Sequence, residues 1–250
     1  RTGLYPNEGP PKWNGITMWR GVTVGKPFLT GRTMAMIGYF QRRFVVYPIS
    51  KRHEDRGEAL INWVAETKTE EGRPMPKQDW EYKANVEDTL KPFASFAFDF
   101  LDVPALIREA EAIYQYPMVD RDPLPTWNSG RITLLGDAAH PMLQYLAQGA
   151  NMALEDGVCL AEQVVAFNGD YERAFKKYQE LRYLRTARVQ LTARMCGEIY
   201  HASGVSRELR NQVLSEWSAQ GGVDMSWLYG HQAHLPRVER VEVPKQHLKF

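Results

Sequence analysis

Residues 130–156 read GRITLLGDAAHPMLQYLAQGANMALED. Residues 131–135 are rich in β-branched and apolar side chains and predict a short strand that runs straight into Gly136-Asp137. A loop of small residues follows, and helical spacing begins at Gly149 or Ala150. A strand, a tight turn and a helix in this order suit a ligand that approaches the backbone at the carboxyl end of a sheet strand. Gly136 tolerates backbone angles closed to other residues, and Asp137 can accept hydrogen bonds from ligand hydroxyls. Gly149, Ala150 and Asn151 stand where a helix starts, so unsatisfied amides and the positive end of the helix dipole meet there. Such a place suits a delocalised anion or an electron-rich ring edge. The same residues also fit a plain strand-to-helix connection in which Asp137 caps a turn.

Upstream, residues 16–20, 32–37, 44–49 and 59–66 are β-branched and aromatic runs separated by turn-formers such as Gly25-Lys26-Pro27. Successive strands without intervening helices predict an antiparallel sheet. Asn85 is a candidate cap for a helix towards Ser95, and Val103-Pro104 opens a second that ends near Ala112. Residues 113–119 read as a further strand. Downstream, helices are expected over 150–167, 171–202 and 207–217, with Asn168-Gly169 ending the first. In the long helix, Phe175, Tyr178, Leu181, Leu184, Leu191 and Met195 are expected to be buried, and Arg173, Lys176, Lys177, Arg182, Arg185 and Arg188 to form a solvated face. The fold class is α+β: an antiparallel sheet, then a strand–loop–helix unit, then C-terminal helices. Three parts are expected, at 1–115, 116–168 and 169–250.

The 250 residues are 44% hydrophobic and 24% charged, with a formal net charge of +1, which offers no general field for nucleic acid or anionic lipid. Two cysteines, Cys159 and Cys196, are too few for a disulfide scaffold and point to a reducing compartment, hence a cytoplasmic setting. No apolar run is long enough to span a bilayer. Of six histidines only His231 and His234 lie close together, and no cysteine joins them, so no metal site is expected.

The quoted stretch resembles the second flavin-binding motif of the class A flavoprotein aromatic hydroxylases. Residues 116–140 (YPMVDRDPLPTWNSGRITLLGDAAH), 18–34 (MWRGVTVGKPFLTGRTM) and 44–50 (FVVYPIS) are similar to phenazine-carboxylate monooxygenases. Residues 141–150 (PMLQYLAQGA) and 227–230 (WLYG) are similar to salicylate and 3-hydroxybenzoate hydroxylases. The resemblance covers most of residues 10–200. It implies an FAD-dependent monooxygenase that takes electrons from NADH or NADPH. It also implies hydroxylation of an aromatic acid or phenol by O2 through a flavin C4a-hydroperoxide, with or without decarboxylation. It assigns Gly136, Asp137, Gly149, Ala150 and Asn151 to FAD, with Asp137 on the ribityl and phosphate region and the amides of 149–151 on the pyrimidine side of the ring. Pro141 would line the oxygen site. Tyr47, Gln144 and Tyr145 would orient the substrate, with Pro141, Gln144 and Tyr47 forming the catalytic set. His140 is expected to be a loop histidine bonded to backbone, and Arg42 and Arg43 to be surface residues able to meet a substrate carboxylate.

Two departures stand against the family pattern. The chain has no G-x-G triplet among its 19 glycines, and it opens without methionine in a Pro/Gly/Asn-rich stretch. A C-terminal portion of a longer hydroxylase is therefore expected, with apolar faces left for the missing N-terminal FAD-domain segment or a second copy. Such a portion would not bind FAD tightly alone and is expected to be inactive by itself. The alternative is a truncated, non-catalytic relative that acts as a binding or interaction protein. The second departure is Ala147, where the family usually has glycine.

Overall fold

The computed structural model describes residues 1–70 and 72–233. The chain divides into two compact units, residues 12–119 and residues 1–11 with 120–250, rather than the three parts expected from the sequence. The long helices pack on the segment that bears the Gly-Asp turn, so 116–168 and 169–250 do not separate.

The first unit holds β1 (Lys12–Gly25), β2 (Ala35–Tyr39), β3 (Arg42–Pro48), α1 (Lys51–Glu54), β4 (Ala59–Lys68), α2 (Val86–Leu90), β5 (Ala97–Phe98), β6 (Leu101–Asp102), α3 (Val103–Arg108) and most of β7 (Ile113–Asp120). Its main sheet runs β2-β3-β4-β1-β7. The β2–β3, β3–β4 and β1–β4 pairs are antiparallel, as the strand-only pattern predicts. Register sorts the residues into two faces. Trp19 opposes Ala65, and Phe44 opposes the same residue from the other side, so these three share a face with Val46 and Trp63. That face is dry. Phe44 stacks on Trp63 with centroids 5.6 Å apart, and the Phe93 ring meets Phe44 edge-on at 5.8 Å. Gly21 makes room for this: a Cβ there would lie 2.2 Å from the Trp63 ring. Asn85 caps α2 through Glu87 N–H, as expected. The helix stops at Leu90 because Pro92 has no N–H for an α-helical bond, and a 3₁₀ turn replaces it.

The second unit holds β8 (Asn128–Ser129), β9 (Ile132–Thr133), α4 (Gly149–Ala166), α5 (Tyr171–Tyr200), α6 (Gly204–Ala219) and α7 (Ser226–Tyr229). The strand expected over 131–135 shortens to two residues, because among the described residues only Asn128 and Ser129 pair with it. The first residues are tied down here. The Arg1 guanidinium donates to the carbonyls of Ala138 and Ala139 at 3.1 and 3.0 Å and pairs with Glu8.

The polarity of α5 differs from expectation. Leu181, Leu184, Leu191 and Met195 are exposed, whereas Arg182, Thr186 and Gln190 are buried beside Phe175, Tyr178, Val189 and Ala193. Arg185 also turns inward, onto Glu155. A helix-length apolar stripe was there to be read, but it is not the stripe that the fold buries.

Among the described residues no helix is long and apolar enough to cross a membrane, and no group of His, Cys, Asp and Glu could hold a metal ion. His234 lies outside the described residues.

Candidate functional site

Gly136 begins a 3₁₀ turn, Gly136–Ala138, with φ +57°, which glycine adopts without strain. The site is also crowded: a Cβ on Gly136 would sit 3.1 Å from that of Ala153 on α4. This close approach seats the turn on the helix. Asp137 is exposed beside it, and its carboxylate Oδ1 lies 3.8 Å from where a Cβ would stand on Gly149, the first residue of α4. The acid and the helix start are neighbours. The opening of α4 has no side-chain cap and no acidic residue in its first turn. Met152 N–H is the first to find a helical carbonyl, Gln148 O at 2.9 Å, so the amides of Gly149, Ala150 and Asn151 point out of the helix end. Asn151 orients the buried Gln148 through a 3.2 Å bond from Nδ2 to Oε1.

The turn is gripped from beneath by a group that sequence reading passed over. Asp156, wholly buried on α4, accepts from Gly136 N–H at 3.0 Å, His140 Nε2 at 2.5 Å and Arg182 Nε at 2.7 Å. Arg182 reaches on to Glu155 at 2.6 Å, and Arg185 forks onto the same carboxylate with two 2.6 Å bonds. Burial opposes ionisation of Asp156, but bonds from His140 and Arg182 overcome it and hold the carboxyl below its usual range. Glu155 is held low in the same way, against burial, by Arg185 and Arg182. Burial and the Asp156 charge together push the Tyr178 phenol far above its usual range, so it stays a neutral donor, 3.3 Å from Leu134 O. His140 is thus a partner of a buried carboxylate rather than a loop histidine bonded to backbone. The signal available was the Glu155-Asp156 pair at the end of the quoted stretch, facing arginines one turn apart on the next helix.

The remaining predicted residues are distributed as follows. Pro141 is half-buried, and its carbonyl accepts from Gln190 at 3.0 Å. Gln144 starts a 3₁₀ turn, Gln144–Leu146, closed by Ala147 N–H on its carbonyl at 2.8 Å. Tyr145 lays its ring in a notch on α5, where a Cβ on Gly197 would come within 2.5 Å of it. Ala147 takes the left-handed conformation, φ 53° and ψ 33°, without glycine's freedom. Tyr47 belongs to the sheet unit, half-buried on β3 opposite Asn62. Arg42 donates to Pro92 O at 2.5 Å. Arg43 is not at the surface: it is buried and pairs with Glu66 at 3.8 Å. A cavity of about 290 Å³ beside the start of α4 is lined by Gln148, Asn151, Leu228 and Tyr229, among others. Asp137 is not part of that lining.

The donor set suits FAD. One exposed carboxylate for ribityl hydroxyls stands beside uncapped amides for the electron-rich pyrimidine edge.

Comparison with known proteins agrees. Residues 118–191 match the FAD binding domain family. The phenazine 1,6-dicarboxylic acid hydroxylase of Lysobacter antibioticus is 42% identical over 183 residues, which cover 73% of this chain and 45% of that protein. The 3-hydroxybenzoate 6-hydroxylase of Polaromonas naphthalenivorans is 50% identical over 149 residues, 59% of this chain and 36% of that protein. A salicylate hydroxylase in complex with substrate shares the fold over 92% of this chain and 57% of its own, at TM-score 0.66 and 23% identity. The chain spans about half the length, or less, of the curated relatives it matches. With its Gly-Asp turn and uncapped helix start in place, this chain belongs to the class A FAD-dependent aromatic hydroxylases.

Proposed function

We propose that this chain supplies the isoalloxazine-side wall and the substrate sheet of a monooxygenase that hydroxylates an aromatic acid or phenol, with NADH or NADPH as the electron source. The observation that carries the reading is the adjacency of the Asp137 carboxylate and the uncapped opening of α4. Bound FAD would supply the activation of O2 and the hydroxyl group transferred to the ring.

The chain's own residues hold and orient. Asp137 accepts from ribityl hydroxyls. The amides of residues 149–151 would donate to the electron-rich pyrimidine edge of FAD, as fixed donors that need no reorganisation. Asp156 fixes the turn by holding Gly136 N–H, so the acid is presented on a rigid support. Pro141, pinned through Gln190, lines the oxygen side. Gln144 and Tyr145 would orient the ring and share the proton of its hydroxyl, which makes the ring nucleophilic, and Tyr47 is proposed for the same task on family likeness alone. The substrate class is that of the relatives named above: hydroxybenzoates and phenazine carboxylates.

Titration of the purified protein with FAD, followed by flavin fluorescence, tests this. Asp137→Ala is expected to weaken FAD binding about tenfold, roughly 1.4 kcal/mol, with unchanged circular dichroism. An Asp137→Ala protein that takes up FAD as well as the wild type overturns the assignment. Aromatic-acid-dependent oxidation of NADH or NADPH, assayed with the N-terminal FAD-domain segment of a relative supplied, tests the reaction, and flavin binding without turnover in that assay would leave a binding protein.

A further inference from the structure

The outward face of α5 is patterned. Lys177, Leu181, Leu184, Arg188, Leu191, Met195 and Glu198 are all exposed, and they follow one another at intervals of four and three residues. That alternation is the 3.5-residue repeat of a two-stranded helical seam. Leu184 is 75% exposed, and Leu181, Leu191 and Met195 are each half exposed or more. Single exposed leucines need no explanation, but four on one seam of one 30-residue helix form a continuous apolar strip.

We propose that this seam pairs two copies of the chain in an antiparallel, two-fold symmetric contact centred on Arg188. The order of residues decides the orientation. Read from either end the seam is charge, apolar, apolar, Arg188, apolar, apolar, charge. Antiparallel pairing therefore sets Leu181 against the partner's Met195, Leu184 against the partner's Leu191, and Lys177 against the partner's Glu198. Parallel pairing would set Lys177 against the partner's Lys177 and Glu198 against the partner's Glu198, which repel. The central arginine does not obstruct the contact. Its guanidinium lies 4.0 Å from the centroid of the Trp227 ring of its own chain and is held there by cation–π attraction. Lys177 also pairs with Glu180 at 3.2 Å in an exposed bridge, which leaves its ammonium free to share a second carboxylate.

The area sets the strength. The seam from 177 to 198 is about 31 Å long at 1.5 Å per residue. Its four apolar side chains offer on the order of 400 Å² per copy, about half of what a standard stable interface buries per partner. A micromolar, concentration-dependent dimer follows rather than an obligate one. Its two-fold symmetry makes the surface self-complementary, so it closes at two copies and does not propagate.

Sedimentation equilibrium of the full chain across the micromolar range tests this. The wild type is expected to shift from monomer to dimer, and Leu184→Glu to weaken the dimer at least tenfold while keeping the wild-type circular dichroism. Lys177→Glu and Glu198→Lys are each expected to weaken it several-fold, and the double variant K177E/E198K to restore it. That rescue belongs to antiparallel pairing and not to general surface charge. For an independent readout, oxidised L184C/L191C is expected to form covalent dimers that neither single variant nor the wild type forms. A wild type that stays monomeric throughout overturns the proposal, as does a charge-swapped double variant no better than its singles. A monomer in which Leu184→Cys resists maleimide labelling also overturns it, in favour of another segment of a longer chain lying on the seam.

Discussion

The two units of this chain solve the problem of a stable interior in opposite ways. The sheet unit is held by apolar contact: Trp19, Phe44, Val46, Ile61, Trp63 and Phe93 pack together, and Arg43–Glu66 is a buried ion pair on the other face of the sheet. The helical unit has smaller apolar clusters, such as Leu124, Trp127, Leu134 and Tyr178, buries Asp156, Arg182, Gln190 and His140 beside them, and turns leucines of α5 outward. Apolar packing is tolerant, since any side chain of about the right volume serves. A buried ionic cluster is intolerant, because removing one member strands the others without water. The helical unit accepts that intolerance where the Gly-Asp turn needs a fixed support.

The contrast breaks most visibly at Asp156. Asp156→Ala leaves the buried Arg182 with Glu155 alone, strands Gly136 N–H and His140 without their acceptor, and should cost about 3–5 kcal/mol, measured by urea denaturation. A cost below about 1 kcal/mol would show that the cluster is solvated and that the two interiors are alike. Next is Gly197→Ala, which drives a methyl into the Tyr145 ring and should cost about 1–3 kcal/mol while changing tyrosine near-ultraviolet dichroism. Phe44→Leu in the sheet unit should cost less, about 1–1.5 kcal/mol, because a dry apolar site repacks around a similar hydrocarbon.

Acid sharpens the comparison further. Asp156 and Glu155 are held below their ordinary values of 3.8 and 4.5 in the folded state. Their stabilisation is therefore present in full above those values and is lost as the pH falls through the lower folded ones. The helical unit should soften first on acidification below pH 4, read by helical circular dichroism, while the strand band of the sheet unit in the infrared amide spectrum persists. Simultaneous loss of both signals would remove the distinction. The smallest effect is expected at Ala147, whose left-handed backbone suits glycine. Ala147→Gly should stabilise by about 0.5–1 kcal/mol in thermal unfolding.

What the sequence discloses follows the same division. The strands expected over 16–20, 32–37, 44–49 and 59–66 were legible in kind, because β-branched and aromatic runs between turn-formers act through local preference, but their ends shift, and the first extends to 12–25. The Gly-Asp turn and the start of α4 were legible because glycine and small residues mark close approach. The four-residue helix α1 was hidden, since Ser50 caps it inside a stretch that reads as a turn. The polarity of α5 was illegible for a different reason. A leucine stripe predicts burial only if the alternative face has nothing to bury, and here Arg182 and Arg185 have partners twenty-five to thirty residues away. Periodicity cannot see a partner on another helix. The site residues Tyr47, Gln144 and Tyr145 rest on family likeness, because a lone tyrosine in a strand carries no local mark of chemistry.

Residues 1–11 belong with residues beyond 119, and Arg1 bonds to carbonyls at 138 and 139. The two partners are more than a hundred residues apart along the chain, so these bonds close a long loop whose entropy the contacts within the second unit must offset. Residues 12–119, one compact unit, lie inside that loop as an uninterrupted stretch. Contacts within residues 12–119 are more local, so they are expected to form before the bonds by which Arg1 steadies the turn that bears Asp137.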